Sequence, residues 1–174
     1  MGCVATIPDF TTPECPDERG RVVGLAFIHK NIHSTIYADP SNASLWVDGS
    51  YASDLVVFQN VRGTYDGGSA IDVPGVGNQD TRTINADRSI TCNVQGVKGN
   101  EGFWDGIRQS SNYYPAIVIG GDYNLLLVGN KTCNVFAGSP VEEGLDTEVT
   151  WAVTIKWKDA NNMKSSNVPS GVFN

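Results

Sequence analysis

The stretch TEVTWAVTIKWK, residues 147–158, indicates the fold class of this chain. Its apolar and polar residues alternate one by one, which is the periodicity of a strand that buries one face. The apolar positions are Val149, Trp151, Val153, Ile155 and Trp157. Five large apolar side chains at strict period two predict a long strand lying on a hydrophobic core.

A second stretch, RVVGLAFIHK at residues 21–30, is apolar at both alternating sets of positions. A strand of this kind is covered on both faces, so we expect it inside the molecule. Further strands are predicted at 55–65 with a bend at Gly63, at 81–85, at 89–97 and at 131–137, with a hairpin at 116–128. Within 89–97 the apolar face consists of Ile90, Cys92 and Val94.

Only one segment has a clear helical pattern, NEGFWDGIRQS at residues 100–110. Asn100 is a suitable N-cap for this helix, because its side-chain oxygen can accept from a free backbone N–H group. The apolar stripe consists of Phe103, Trp104 and Ile107. Residues 31–50 are ambiguous, although Pro40-Ser41-Asn42 can cap a short helix through Leu45 and Trp46.

Together these elements predict a mainly β chain, an antiparallel β-sandwich or barrel with one flanking α-helix. The 174 residues are the size of one domain, predicted at 20–158. A proline-rich irregular arm at 1–19 precedes it and a polar C-terminal arm at 159–174 follows it. DGGSAIDVPGVGNQD, residues 66–80, is expected to be a long loop, and such loops usually dock on a partner or carry function.

The composition limits the classes of partner. Charged residues make up 18% of the chain and the net charge is −7, so the chain lacks the basic footprint of a protein that grips nucleic acid. No apolar run is long enough to cross a bilayer, and we expect no membrane anchor. The first twenty residues do not have the pattern of a signal peptide, so the cysteines are expected to be reduced thiols. They are Cys3, Cys15, Cys92 and Cys133.

The sequence offers little for catalysis or metal binding. The two histidines, His29 and His33, could join Cys3 and Cys15 in a zinc site, but the cysteine spacing is unlike that of structural zinc pairs. The carboxylate pairs Asp17-Glu18 and Glu142-Glu143 lie in loops beside proline or glycine, where solvated charge is the expected role. We therefore expect no catalytic residue, no metal and no cofactor, and predict that the protein is not an enzyme.

Taken together, the chain resembles the tail tube proteins of tailed phages and related injection machines. The resemblance covers roughly residues 20–174 and is carried by a pattern of segments. These are RVVGLAFIHK, DGGSAIDVPGVGNQD, NEGFWDGIRQS, TEVTWAVTIKWK and the closing VPSGVF. It implies a virion structural protein, made in the host cytoplasm, that assembles into stacked, hexameric rings with other virion proteins. It implies no catalytic residue.

If such subunits form a conduit, the loop and strand patterns of this sequence predict two sets of residues. The long loop and the terminal arms are expected to contact neighbouring copies, through Asp66, Gly67, Asp72, Val73, Val168 and Phe173. Polar strand faces are expected to line a channel that DNA passes through without specific binding, because they give a wettable wall with no fixed positive charge. The predicted lumen-facing residues are Ser89, Thr91, Asn93, Gln95, Glu148, Thr150 and Thr154.

Other functions remain open at the level of sequence. A head–tail connector ring or a capsid decoration protein would share a similar β-fold. A β-sandwich module that binds carbohydrate or a cell surface is a further alternative, and Trp46 is the one tryptophan expected to be exposed for that purpose. A small enzyme of unrecognised type would need a converging set of titratable residues, and the sequence provides none.

Overall fold

The computed structural model describes residues 21–47, 54–59, 61–77, 80–96, 99–110, 112–120, 124–129, 133–138 and 149–173. Those residues form nine strands, two α-helices and one short 3₁₀ helix at Ala43–Leu45. The strands are β1 (Arg21–His29), β2 (Leu55–Phe58), β3 (Arg62–Val73), β4 (Arg82–Val94), β5 (Tyr113–Gly120), β6 (Asn124–Leu127), β7 (Asn134–Gly138), β8 (Trp151–Asp159) and β9 (Lys164–Asn167). The helices are α1 (Lys30–Ala38) and α2 (Glu101–Gln109).

All strands belong to one antiparallel sheet in the order β7-β8-β4-β3-β1-β5-β6-β9, with β2 also paired to β1. The predicted class, a mainly β antiparallel sandwich with a flanking helix, is confirmed. On one side of β1, β2 pairs with residues 25–28, whereas β3 meets β1 only at the pair Val22 and Gly63. This seam divides the sheet into a β3-β4-β8-β7 half and a β1-β5-β6-β9 half.

Strand β1 is buried on both faces, as its sequence predicts. Leu25 and Phe27 belong to a first core cluster, which also contains Ile117 of β5, Ile155 of β8 and Trp104 of α2. Ala26 and Ile28 point the other way into a second cluster beneath α1. The second cluster contains Ala26, Ile28, Ile36, Trp46, Ala116, Val118, Leu125 and Leu127.

Strand β8 buries four of its five predicted core residues, Trp151, Val153, Ile155 and Trp157. The prediction is wrong for Val149, whose side chain is 46% exposed. The ladder between β4 and β8 ends at the pair Val94 and Trp151, so Val149 lies beyond the last partner strand that could cover it. Apolar alternation therefore continues one step further than the pairing.

Helix α2 is confirmed, with Trp104 and Ile107 buried. Asn100 occupies the predicted N-cap position but makes no side-chain capping bond, and its amide instead donates to the carbonyl oxygen of Gly96 over 2.7 Å. Helix α1 was not predicted. It begins directly after β1 with no intervening turn, and its N-cap side chain is that of His29, which is not one of the usual N-cap residues.

The short helix after Asn42 is confirmed as a 3₁₀ turn, with the Asn42 side chain accepting from the backbone N–H of Ser44 over 3.1 Å. The single bent strand predicted at 55–65 is two strands, β2 and β3, interrupted between Phe58 and Arg62. Gly63 lies within β3, where a side chain would come within 2.6 Å of the carbonyl oxygen of Thr91.

The C-terminal segment 159–174 was predicted as a free polar arm, and the structure corrects this for the residues that it describes. Lys164–Asn167 forms β9, which pairs with β6. Val168 and Phe173, predicted to contact neighbouring copies, are partly buried and pack on this copy's second core cluster; their contact with a neighbouring copy stays a prediction. The sequence KSSN has no apolar alternation that would predict a strand. An edge strand exposes much of its side-chain surface and therefore needs little apolar content.

The long loop predicted at 66–80 is also corrected. Strand β3 continues to Val73 and pairs with β4, which begins at Arg82, so only residues 74–81 connect them. The two strands predicted at 81–85 and 89–97 are one strand, β4. Small and acidic residues give no strand pattern, whereas the backbone hydrogen bonds of a hairpin form whatever the side chains are.

Candidate assembly surface

A two-stranded arm projects from the sheet. Strand β8 stops pairing with β4 at Ala86, and β3 touches β1 only at Gly63. Beyond those points β3 and β4 pair only with each other among the described strands, at residues 71–73 and 82–85. We call residues 71–77 and 80–85 the β3–β4 arm. It contains two of the residues predicted for self-assembly, Asp72 and Val73, whereas Asp66 and Gly67 lie at its root.

The arm exposes apolar surface. Val73 is 43% exposed, Val76 is 88% exposed and Ile84 is 47% exposed. Of the six large apolar side chains that are exposed in the described ranges, three are therefore on this arm. Clustered exposure of this kind on a projecting element is typical of a surface that a partner covers.

The root of the arm is a β-bulge. Asp66 pairs with Ser89 and Ser69 pairs with Asp87, so Gly67 and Gly68 together oppose the single residue Arg88. Gly68 has a positive φ of 85°, and a side-chain carbon there would overlap the carbonyl oxygen of Asp87. Its N–H donates to the Asp66 carboxylate over 2.8 Å. The bulge needs glycine, and bulges increase twist and re-aim the strands that follow.

The side chain of Arg88 contacts the root of the arm from the buried face of the sheet. It is only 7% exposed, and its guanidinium donates to the hydroxyl of Tyr65 and to the side-chain oxygen of Asn162, both over 3.0 Å. Tyr65 stacks on Trp157, which is the residue opposite Arg88 on β8. The contacts join β3, β4 and the segment after β8 at the point where the arm leaves the sheet. Nε of Arg88 has no hydrogen-bond partner in the described part of the chain.

Four of the predicted lumen-facing residues share the outer face of the sheet half β3-β4-β8-β7. Thr91 lies between Thr64 and Thr154, and is exposed. Ser89 is opposite Lys156 and Asn93 is opposite Ala152. Gln95 and Thr150 lie beyond the last β4–β8 pair, and Glu148 lies outside the described residues. The structure therefore brings Ser89, Thr91, Asn93 and Thr154 together.

This outer face is polar but of mixed charge. Cross-strand pairing places Arg62 beside Asn93, Asp66 beside Ser89, and Lys158 beside Asp87. The Lys158 ammonium and the Asp87 carboxylate are 3.5 Å apart. With Lys156 included, the face carries three basic and two acidic side chains, so it is not free of positive charge. Arg62 and Arg21 also line two adjoining clefts of about 440 and 410 Å³ along the seam.

An apolar groove lies at the edge of the same face. Strand β7 is the end strand of the sheet, and its Phe136 is 59% exposed. The cavity beside it has a volume of about 360 Å³. It is lined by Asn134, Val135, Phe136, Thr154 and Lys156. We call this cavity the β7 groove.

The two histidines considered as metal ligands are separated by the fold. His29 lies 3.6 Å from the Asp54 carboxylate and packs edge-on against Tyr113. His33 is buried, stacks on Tyr114 at 3.8 Å and donates from Nε2 to the carbonyl oxygen of Val128 over 2.8 Å. Burial lowers the pKa of His33 below its ordinary value, and the hydrogen bond offsets part of that shift.

The cysteines that the structure describes are poor nucleophiles. Burial raises the pKa of both Cys92 and Cys133 to about 12, so the reactive thiolate is scarce near neutral pH. Cys3, Cys15 and both carboxylate pairs lie outside the described residues. Within the described ranges, no three His, Cys, Asp or Glu side chains converge as metal ligands would.

Trp46 does not form the exposed platform that was predicted. It is 6% exposed, donates from its indole to the carbonyl oxygen of Pro40 over 2.8 Å, and meets Phe173 edge-on at 5.4 Å. The C-terminal segment covers it, which the sequence could not show. The carbohydrate-binding alternative thereby loses the aromatic residue on which it depended.

Comparison of the chain with protein-family models, with curated proteins and with solved structures found no match. No helix in the described part of the chain is long and apolar enough to span a membrane.

Proposed function

We propose that this protein is a self-assembling structural subunit of a virion, of the tail-tube class, and not an enzyme. The observation that carries the proposal is the β3–β4 arm. It projects beyond the rest of the sheet and presents Val73, Val76 and Ile84 to solvent. Burying those side chains against another copy would remove apolar surface from water, which is the main driving force of protein association.

The edges of the sheet also favour association between copies. Strands β7 and β9 end the sheet path, and end strands present backbone groups that can pair with another chain. In a closed ring of identical subunits every edge strand is covered by a neighbour. Assembly stops at a fixed number of subunits, because the rotation from one copy to the next returns to the first copy. An enzyme or a small-ligand receptor would have no comparable need for an exposed apolar arm.

The proposed conduit would use the outer face of the sheet. Thr64, Thr91 and Thr154 lie side by side there and give a wettable wall. Fixed basic groups on this face are matched in part by Asp66 and Asp87, so it lacks the dense positive charge that holds phosphates by counterion release. The net charge of −7 adds a repulsion that salt screens beyond about 8–10 Å. Both features favour passage of DNA without specific binding.

The test removes the arm and leaves the sheet intact. Ala70 and Ala86 are cross-strand partners, so residues 71–85 can be replaced by Asn-Gly, which forms a two-residue hairpin turn. We expect a folded domain by circular dichroism that no longer forms rings or tubes in negative-stain images or in sedimentation velocity. The matched control is Val47→Ser, which removes a 59% exposed apolar side chain away from the arm and should assemble as the parent does.

Two outcomes contradict the proposal. In one, the shortened chain assembles as well as the parent. In the other, the parent stays a monomer at every concentration tested, with other virion proteins absent or present.

A further inference from the structure

We infer that Arg21 and Arg62 form a binding site for a phosphate group at the seam between β1 and β3. The site is the cleft of about 440 Å³, which we call the seam cleft. It is lined by Arg21, Val23, Val61, Arg62 and Gln95. The inference goes beyond the proposed function and does not depend on it, because a small anion can bind there whether or not the protein assembles.

The register of the sheet brings the two arginines together. Val22 pairs with Gly63, so Arg21 and Arg62 are diagonal neighbours on the same face. Diagonal neighbours in an antiparallel pair are about 7–8 Å apart between their Cα atoms. Two long guanidinium side chains at that spacing can both reach one oxyanion, and both of them line the seam cleft.

Neither arginine forms an ion pair with a described residue. The three ion pairs in that part of the chain involve other residues, and no acidic side chain lines the seam cleft. Asp66, the acidic residue of β3 on this face, lies two positions beyond Thr64, and its carboxylate accepts from the N–H of Gly68 over 2.8 Å. Two positive charges therefore face one cleft, and an anion between them offsets their repulsion.

The apolar walls of the seam cleft favour binding of an anion. Val61 is buried and Val23 is half-buried, so these side chains limit the water around the guanidinium groups. The backbone N–H of Val61 donates to the carbonyl oxygen of Val23 over 3.0 Å, which holds the two walls together. Coulomb attraction is stronger beside such a surface than in bulk water.

Two arginines suit a phosphate group better than a carboxylate. A carboxylate has two oxygens in one plane, and a single guanidinium can donate to both of them. The oxygens of a phosphate group point to the corners of a tetrahedron, so two guanidinium groups can donate to it from different sides. The phosphate group is either free inorganic phosphate or part of a nucleic-acid backbone, and the experiment distinguishes these two sources.

The seam cleft lies outside the polar surface that the proposed conduit uses. Thr64, Thr91 and Thr154 do not line it, although the first two line the adjoining cleft. Gln95, the one predicted lumen residue that lines the seam cleft, lies beyond the last β4–β8 pair. Inorganic phosphate bound at Arg62 would cancel positive charge on the outer face, which agrees with passage of DNA without specific binding.

The experiment measures thermal unfolding of the full-length protein while sodium chloride is replaced by sodium phosphate at constant ionic strength. A ligand that binds the folded state raises the midpoint of unfolding, and the concentration dependence of that rise gives the dissociation constant. Phosphate also stabilises folded proteins by exclusion from their surface, so the comparison between variants decides the result.

The decisive variants are Arg21→Lys and Arg62→Lys, which keep the net charge but lose the planar fork of donors. Each is expected to raise the dissociation constant for phosphate by about tenfold, the loss of one charge-assisted pair of hydrogen bonds. Arg108→Lys is the matched control, because Arg108 is exposed on α2 and does not line the cleft. It should bind phosphate as the parent does. If one of the two decisive variants fails to fold, the other carries the test.

A fluorescently labelled DNA duplex tests the second source of phosphate. If the proposed conduit is right, the duplex shows no binding that Arg21→Lys or Arg62→Lys weakens. Duplex binding that depends on both arginines would support the phosphate site and contradict passage of DNA without specific binding.

The remaining outcomes separate the inference from the proposed function. An equal phosphate effect in the parent, Arg21→Lys, Arg62→Lys and Arg108→Lys overturns the site and leaves the proposed self-assembly standing. A parent that binds phosphate through both arginines but never assembles contradicts the proposed function and leaves the site standing.

Discussion

Arg88 and Asn162 are 74 positions apart in sequence, and the guanidinium of one donates to the side-chain oxygen of the other over 3.0 Å. A second donation from the same guanidinium reaches Tyr65. The root of the arm is thus held by a buried arginine whose two hydrogen bonds are part-buried, and a hydrogen bond from a charged group is stronger than one between neutral groups. This relationship explains how a hairpin with few packing contacts can keep one direction.

Arg88→Ala is expected to lower the free energy of unfolding by about 2–4 kcal/mol, because it removes a buried, packed side chain and two part-buried hydrogen bonds from a charged donor. Chemical denaturation measures the change. Arg108→Ala is the matched control, since Arg108 is an exposed arginine that makes only a surface ion pair with Asp105 at 3.5 Å. It should change stability by less than about 0.5 kcal/mol. Equal effects of the two variants would contradict the anchoring role.

Gly68→Ala is expected to destabilise the protein by about 3 kcal/mol, because it combines an unfavourable positive φ with a side-chain carbon driven into the Asp87 carbonyl oxygen. Amide hydrogen exchange should show loss of protection first in the paired residues of the arm. The neighbouring Gly67→Ala is the control, since nothing lies within 4 Å of an added carbon there. Tolerance of both changes would mean that the bulge is not required.

Trp151→Ala is expected to cost about 3–5 kcal/mol, the usual result of emptying a buried aromatic site. Trp151 is 6% exposed, and its indole donates to the carbonyl oxygen of Gly96 over 3.2 Å. Val149→Ala, two positions earlier on the same apolar set, should cost less than about 0.5 kcal/mol because that side chain is exposed. Thermal unfolding measures the loss of stability in each variant. A large loss for Trp151→Ala and a small one for Val149→Ala would show that the buried strand begins later than the apolar pattern does.

Stability should depend on pH through His33. Burial lowers its pKa in the folded state below the ordinary value of 6.5, so the unfolded chain takes up the proton more readily. Its contribution is fully present above about pH 6.5 and is lost as the pH falls below that value. Urea midpoints at pH 7.5 and at acidic pH should show this decrease, and His33→Gln should reduce it. An unchanged pH dependence in His33→Gln would assign the decrease to other groups.

The two buried thiols should react only when the protein unfolds. In a Cys3→Ser, Cys15→Ser chain, Cys92 and Cys133 are the remaining cysteines. Their pKa of about 12 and their burial leave almost no accessible thiolate at pH 8. Labelling with a thiol reagent should be slow in buffer and complete in urea, with a rate that follows unfolding. Complete labelling of the folded chain within minutes would contradict their placement in the core.

The sequence by itself determined the β class, the two-sided burial of β1, the core face of β8 from Trp151 to Trp157, and helix α2. Each of these depends on a local period of apolar residues, and that period survives in the fold because burial of apolar side chains dominates folding energetics. The same pattern predicted burial wrongly at Val149, because the apolar alternation continues there although the pairing with β4 has ended.

The tertiary structure decided the rest. Residues 71–73 and 82–85 form a paired arm because two backbone segments meet, and backbone hydrogen bonds leave no mark on side-chain composition. Trp46 is buried because a segment more than 120 residues away, ending at Phe173, covers it. Such contacts depend on where distant segments are brought together, which no local periodicity encodes.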